Sequence, residues 1–481
     1  MSTPTIYPTG TTLAYPEKCW CGFTLYIARD TGPTLVDMNG KVRRQWQGVH
    51  GFPAKLLPGG QVMGSLGMRD PRFGFMDQTD LVQVDWDGNV VWKFDQYEFI
   101  EDPGGEGMWM ARQHHDYQRQ GNPVGYYVPG MDPLVEAGNT IILGHKNLTD
   151  PNISGQLLVD DVIYEVNWDG DIIWEWVCSE HFPEMGFSEE ARNVMARNPT
   201  MVIGKGKVGD WMHINSMSTL GPNRFYDGGD SRFHPDNIIW DGRQTNIIAI
   251  IDKQSGSIVW QIGPDYDRSR ELRELGWIIG QHHAHMIPRG LPGEGNILVF
   301  DNGGFAGYGN PNPGAPTGHN NALRDHSRII EFDPLSLKVV WQYTYREAGY
   351  MPKMSTYTFY SPLISSAQRL PNGNTLITEG SGGRLLEVTA DHELVWEYIS
   401  PYYGTDGQSN YVYRAYRVPY EWVPQLGRPE EKEIPRLDNS TFRVPGAAGP
   451  EEEGIIEVEG TMGYTRSQLC VEKVDEDAGD D

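Results

Sequence analysis

Along this chain one pattern of apolar and polar positions recurs six times: an aliphatic run, an acidic or polar turn, then two aliphatics and a tryptophan. The copies run from Leu35-Val36-Asp37 to Trp46, from Val82-Gln83-Val84-Asp85 to Trp92, and from Ile163-Tyr164-Glu165-Val166 to Trp174. They continue from Ile248-Ala249-Ile250 to Trp260, from Ile329-Ile330-Glu331-Phe332 to Trp341, and from Leu385-Leu386-Glu387-Val388 to Trp396. Four carry glycine at or near the turn, at Gly40, Gly88, Gly170 and Gly256. Positions on either side alternate or run apolar, which is a strand period bounded by turn chemistry, and Asn39-Gly40 and Asp87-Gly88 suit hairpins. Six β units, none able to bury its own faces, predict packing around a common axis: an all-β, six-bladed β-propeller with loop and short helical insertions. A β-sandwich with recurring edge tryptophans is the alternative, but six ordered copies of one hairpin favour radial repetition.

The tryptophans are unevenly spaced, by roughly 45 to 90 residues against about 40 to 50 for a bare four-stranded blade, so several blades carry long insertions. Two insertions read as helical: Phe187-Ser188-Glu189-Glu190 opens on an N-cap serine, and Tyr266 to Trp277 carries mixed charges at helical spacing. One propeller domain is expected over residues 1–425, followed over 426–481 by a strap at Pro429 to Pro450 and an acidic tail at Val474 to Asp481. The Gly- and Pro-rich stretches Gly104 to Tyr127 and Gly303 to Asn321 suggest lid loops, in which Trp109, Tyr126, Tyr127, Phe305 and Tyr308 are available to stack on a phenyl ring.

A second repeat is nested between the tryptophans and is expected to form the innermost strand of each blade. Close copies are Pro53 to Pro58, His283 to Pro288, Ser366 to Pro371 and Arg414 to Pro419, and looser ones are His115 to Arg119 and Ser216 to Leu220. First and third positions share one side of a strand, and around the ring they read Pro53/Lys55, His115/Tyr117, Ser216/Ser218, His283/His285, Ser366/Gln368 and Arg414/Tyr416. His50, His114, His213 and His282 lie just upstream, and His145 lies at a strand end. A core strand rich in His, Arg, Tyr and Gln carries a desolvation cost unless those groups line a water- or ligand-filled cavity, so a polar central channel is expected. His115, His213 and His283 are its leading functional candidates, ahead of His50, His114, His282 and His285. His181, His234, His319, His326 and His392 fall in loops or turns and receive no role.

Charge narrows the partners. The 481 residues carry a formal net charge of -26, which argues against nucleic acid or an anionic membrane surface. Neither an export signal nor a stretch of about 18 apolar residues is encoded, so a cytoplasmic location is expected. Of four cysteines, Cys19, Cys21, Cys178 and Cys470, the Cys19-Trp20-Cys21 pair lacks zinc-site spacing, and free thiols are the expectation.

The residues resemble the arylsulfotransferases. The likeness rests on Asp210-Trp211-Met212-His213-Ile214-Asn215-Ser216, on Gly280-Gln281-His282-His283-Ala284-His285, and on Ser366-Ala367-Gln368-Arg369-Leu370-Pro371-Asn372-Gly373-Asn374-Thr375-Leu376-Ile377 with Glu387-Val388 to Trp396-Glu397-Tyr398. It covers most of residues 30 to 420, and its Asp-Trp-x-His-x-Asn stretch is the more specific part. The resemblance implies a six-bladed propeller whose channel binds a phenolic sulfate ester and passes its sulfuryl group, through a sulfohistidine, to an acceptor phenol. It implies no cofactor and a small aromatic partner. It would make His213 and His283 sulfate-binding, charge-stabilising donors and Arg414 a fork holding sulfate in two contacts. His115 and His285 join them as catalytic candidates, and His50, His114, His282, Ser366, Gln368 and Tyr416 as substrate-binding ones. On the blade after the Gln-His unit, where the resemblance implies a nucleophilic histidine, this chain has Ser365-Ser366; a serine nucleophile would need His283 or His285 as base.

Two other classes fit the same histidines. Neutral imidazoles converging from successive blades form a site for copper, zinc or iron, with His115, His213 and His283 plus His50 or His285 as ligands. A non-catalytic binding platform is the third reading, and it does not need clustered histidines.

Overall fold

In the computed structural model, which describes residues 9–74, 76–200, 209–350, 355–405, 407 and 409–436, six sheets are arranged as the blades of a propeller. Their innermost strands are Ala415–Val418, His50–Leu57, Gln113–Arg119, Ile214–Thr219, His282–Met286 and Ser366–Arg369, for blades one to six. Each is followed outward by three antiparallel strands. All six segments expected to be innermost are so, and the β-sandwich alternative is excluded.

Ring closure draws on both ends of the described chain. Blade one joins the C-terminal strand Ala415–Val418 to the N-terminal strands Phe23–Ala28, Gly32–Val36 and Val42–Gln45, while Gly10–Ala14 adds a fifth, outermost strand to blade six. Ile434 then bridges back to Ala14 through two backbone hydrogen bonds. The acidic tail from Val474 and most of the expected strap fall outside the described residues, as does Cys470; Cys19, Cys21 and Cys178 are free thiols.

The apolar pattern follows from blade packing. Six buried clusters occur, one at each junction between neighbouring blades, and successive residues of one strand belong to different junctions. Ile247, Ala249 and Ile251 face blade three, whereas Ile248 and Ile250 face blade five. Both faces of such a strand leave water, which is why it reads as continuous apolar sequence.

The recurring tryptophan has a polar purpose as well. Each indole N–H donates to a backbone carbonyl in the outer hairpin of the next blade: Trp46 to Asp85, Trp92 to Trp168, Trp174 to Lys253, Trp260 to Pro334, Trp341 to Ala390, and Trp396 back to Met38. The six bonds, 2.9–3.1 Å long, run once around the ring. An amphipathic ring with one donor both packs the junction and satisfies a carbonyl there.

The polar residue before each turn closes it. Asp37 Oδ1 accepts the Asn39 and Lys41 N–H groups, and Asp85 Oδ1 those of Asp87 and Asn89. Gly88 completes its turn at φ 94°, with open space where a Cβ would sit. Gly88→Ala therefore tests backbone strain alone and is expected to cost about 1 kcal/mol by denaturant unfolding; unchanged stability would contradict this assignment.

The helical expectations hold at one site and shrink at the other. Ser188 caps Glu189–Arg197, its hydroxyl accepting from Ala191 N at 3.2 Å. In the second segment only Arg270–Leu275 is helical, because Ser269 caps it late and Gly276, at φ 76°, ends it early. No helix of the described residues is long and apolar enough to cross a membrane.

Candidate active site

Three histidines of the inner strands share an unusual backbone. His115, His213 and His283, at or beside the start of three successive inner strands, have φ of 52°, 53° and 57°, and Ser365, beside the next inner strand, has 91°. Each of the three lies beside an irregularity in strand pairing. Such bulges re-aim side chains, and left-handed non-glycine residues, costing about 1–3 kcal/mol each, cluster at functional sites.

Around the beginnings of the inner strands the rings of His115 and His213 meet edge to face, 4.6 Å apart. Tyr413 lies 5.7 Å from His115 and 6.4 Å from His282, and the half-buried Phe52 packs 5.0 Å from Tyr413 and 6.3 Å from His115. His213 Nδ1 is 2.7 Å from Asp210 Oδ2. Burial pushes the Asp210 carboxyl up, but the charge and hydrogen bond of His213, with His145 and His114, outweigh it and hold it below the usual range. A carboxylate at Asp210 accepts the Nδ1–H and so fixes the orientation of the His213 ring. His282 Nδ1 pairs with Asn302 Oδ1 at 2.8 Å, and its Nε2 accepts from Ile364 N.

In a second group, His283 and His285 lie 4.5 Å apart, with Tyr416 6.0 Å from His283 and the Tyr126 hydroxyl 3.0 Å from His285 Nε2. Burial lowers the pKa of His115, His282 and His283 well below the ordinary value and takes His285 to about 4, helped by neighbouring imidazoles and by Arg414. These rings are neutral at pH 7. His283 is thus no cationic donor, contrary to what sequence suggested.

Other site expectations change as well. Arg414 is engaged at both terminal nitrogens: its NH1 donates to Asp116 Oδ2 at 2.9 Å and to the Tyr416 hydroxyl at 3.0 Å, its NH2 to the Asn215 carbonyl at 3.1 Å, while its Nε finds no partner among the described residues. Asp116 also holds Lys55 Nζ at 2.6 Å, so the guanidinium of the expected sulfate fork is ion-paired within the protein. The Gln368 amide both donates to and accepts from the Arg417 backbone and acts as a strut. Ser366 donates to Thr378 Oγ1, and Ser365 pairs with Ser361 and accepts from Gly380 N, so neither serine contacts a base. His50 is exposed at the start of its strand. His114 stacks on His145 inside blade three, because neighbouring residues of a strand face opposite ways and His115 takes the axial side. His115, His213 and His283 do not converge on one point, so the metal set read from sequence is not assembled: His283 groups instead with His285, Tyr126 and Tyr416.

The lid expectations are corrected too. Gly104 to Tyr127 is no single lid, for it contains the inner strand Gln113–Arg119. Tyr126 is buried against His285, Tyr127 stacks on Trp20, and the Tyr308 hydroxyl donates to the Trp211 carbonyl; Trp109 and Phe305 are exposed.

Sequence reasoning missed Asp210 as a partner, although Asp-x-x-His stood within the motif, and it missed Arg243. That guanidinium, whose backbone N–H donates to the His213 carbonyl, makes no ion pair among the described residues and touches only Gln244 Oε1 at 3.1 Å. Burial lowers its pKa to about 10, with Asp210 pulling it back up, so it stays charged at neutral pH, and its field depresses His282. A surface cleft of about 640 Å³ lined by Trp277, Arg324 and His326, among others, includes none of the inner-strand histidines.

The family model for Arylsulfotransferase (ASST) matches residues 131–397. No curated protein matches the chain. Similar solved structures include a protein of unknown function from Bacteroides caccae (10% identity, 83% of this chain and 99% of that chain covered, TM-score 0.42). Others are the dihydro-heme d1 dehydrogenase NirN (12%, 88% and 78%, 0.35) and the β-propeller domain of Myceliophteria thermophila Cps50 (Swd1) (10%, 82% and 90%, 0.36).

Proposed function

This chain belongs to the arylsulfotransferase family, and we propose that its channel passes a sulfuryl group from an aryl sulfate to a phenol with His213 as the nucleophile. The observation that carries the reading is the 2.7 Å pairing of His213 Nδ1 with Asp210. A buried carboxylate that fixes the tautomer and orientation of an imidazole is the arrangement that lets its other nitrogen react. The serines offer nothing comparable, since their hydroxyls are bonded to other hydroxyls and a backbone N–H.

In the first half-reaction the Nε2 lone pair forms an N–S bond while the S–O(aryl) bond breaks, and the electron pair leaves on the phenolate oxygen. In the second, an acceptor phenol gives up its proton through solvent to the released phenolate, its oxygen bonds to sulfur, and the S–N bond returns its electrons to His213. Charge on the sulfuryl oxygens is met by Arg243, the cation near His213 that has no carboxylate partner among the described residues. The neutral imidazole of His115 flanks the reacting group with its N–H, and Phe52 with Tyr413 supply aromatic faces for the aryl ring. The step draws on no cofactor.

Initial rates with 4-nitrophenyl sulfate as donor and phenol as acceptor test the reading. Nitrophenolate release that depends on the acceptor, with parallel double-reciprocal lines, is expected; acceptor-independent hydrolysis or intersecting lines would overturn it. Arg243→Met is expected to raise KM for the donor by about tenfold or more, as loss of a charged hydrogen bond does. An unchanged KM would remove Arg243 from the oxyanion role.

A further inference from the structure

Inside blade three, away from the axis, three adjacent strands each contribute one polar atom to a single buried point. His114 comes from Gln113–Arg119, His145 from Thr140–Leu148 and Asp161 from Leu158–Val166, and His145 and Asp161 are direct cross-strand partners. All three side chains are fully enclosed. His114 Nε2 lies 3.2 Å and His145 Nε2 3.9 Å from Asp161 Oδ1, yet none of the three atoms makes a hydrogen bond. Three orphaned buried polar atoms facing one another would each cost about 1–3 kcal/mol, and a single ion between them would satisfy all at once.

We propose that His114, His145 and Asp161 bind a divalent first-row transition ion of the zinc or iron(II) class. Two ligand atoms about 2.1 Å from such an ion at a tetrahedral angle lie about 3.4 Å apart, close to the spacing seen. All three atoms lie within 4.8 Å of one another, and this is the one such group of His, Cys, Asp and Glu among the described residues. Two imidazoles and one carboxylate suit zinc or non-haem iron rather than calcium or magnesium, which prefer oxygen.

The outer contacts support the same assignment. His145 Nδ1 is 2.6 Å from Asp77 Oδ1, while Arg69 and Arg112 hold Asp77 Oδ2 at 3.0 and 2.9 Å. His114 Nδ1 is engaged by His115 Nδ1 at 2.8 Å, and Asp161 Oδ2 accepts from Ile214 N at 3.1 Å. Each ligand is thus oriented through its second polar atom, as metal ligands are, and each presents its remaining atom to the shared point. The two rings now lie stacked, 3.6 Å apart, so coordination asks each to turn about a soft terminal torsion.

The site stands independently of sulfuryl transfer, because its ligands lie behind the channel wall and its readout is metal content. The full chain would be purified, stripped with a chelator, and reconstituted separately with Zn2+, with Fe2+ under anaerobic conditions, and with Co2+ as a spectroscopic probe. One equivalent of bound ion is expected, with visible d–d absorption for the cobalt form. Asp161→Asn and His145→Gln, which keep size, should each weaken binding by at least about tenfold, while the loop variant His234→Ala retains the full equivalent. No stoichiometric uptake of any of the three ions by the folded wild-type chain would overturn the proposal, as would undiminished uptake by both ligand variants.

Discussion

Replacing His213 with alanine is expected to lower turnover of an aryl sulfate by about 10³–10⁴-fold while leaving the fold intact, because it removes the atom that would carry the sulfuryl group. Asp210→Asn should fall in the same direction but less far. The asparagine keeps the shape, yet its amide can present N–H to Nδ1, favouring the tautomer whose lone pair faces the wrong way. Quenching the enzyme with donor but no acceptor should leave one sulfuryl group on the peptide containing His213 and none in the His213→Ala variant. Sulfuryl on Ser365 or Ser366, or a His213→Ala enzyme within tenfold of wild type, would sink the assignment. His283→Ala, by contrast, tests a neutral lining residue and is expected to cost less than loss of the nucleophile.

Asp116→Ala is expected to be the most destabilising substitution at the site, costing about 3–5 kcal/mol in denaturant unfolding. The residue is 2% exposed and holds two buried cations, Lys55 at 2.6 Å and Arg414 at 2.9 Å. Burial pushes its carboxyl up, but Lys55 and Arg414 outweigh that and hold it ionised. Truncation would leave an ammonium and a guanidinium enclosed together with no counter-charge. Adding Lys55→Met to Asp116→Ala should recover part of the loss, since one of the two unpaired charges is then gone. A cost below about 1 kcal/mol, or no recovery in the double variant, would show that the pair is hydrated rather than enclosed.

The two proposals meet at His115, which contacts His213 on one side and His114 on the other. An ion held by His114 Nε2 would leave the His114 proton on Nδ1, to be donated to His115 Nδ1. The His115 proton would then sit on Nε2, as a donor for sulfate oxygen under the proposed reaction.

Much of this molecule was legible in one sequence. Six hairpin copies ending in tryptophan marked the blades, and the nested segments marked the inner strands, because strand period, turn residues and apolar runs are local properties. The placement of His115, His213 and His283 at or beside inner strands was legible for the same reason, but not that His283 groups with His285 and Tyr416 rather than with the other two. The N-terminal strand Gly10–Ala14 was not: it pairs with Leu394–Ile399, and nothing in its own residues names that partner. The fate of Arg414 was equally hidden, because a guanidinium reads alike whether it meets a ligand or Asp116, which is 298 residues away.

By itself the sequence determined the architecture, the family likeness and the set of polar residues on the inner strands, all of which depend on patterns repeated along the chain. Tertiary structure alone decided which of those residues are neutralised, which are oriented and which converge. Burial takes His115 to its neutral form, Asp210 orients the ring of His213, and cross-strand register brings His145 onto Asp161 beside His114. These outcomes rest on desolvation and on charges a few ångströms away in space, and neither quantity is a function of distance along the chain.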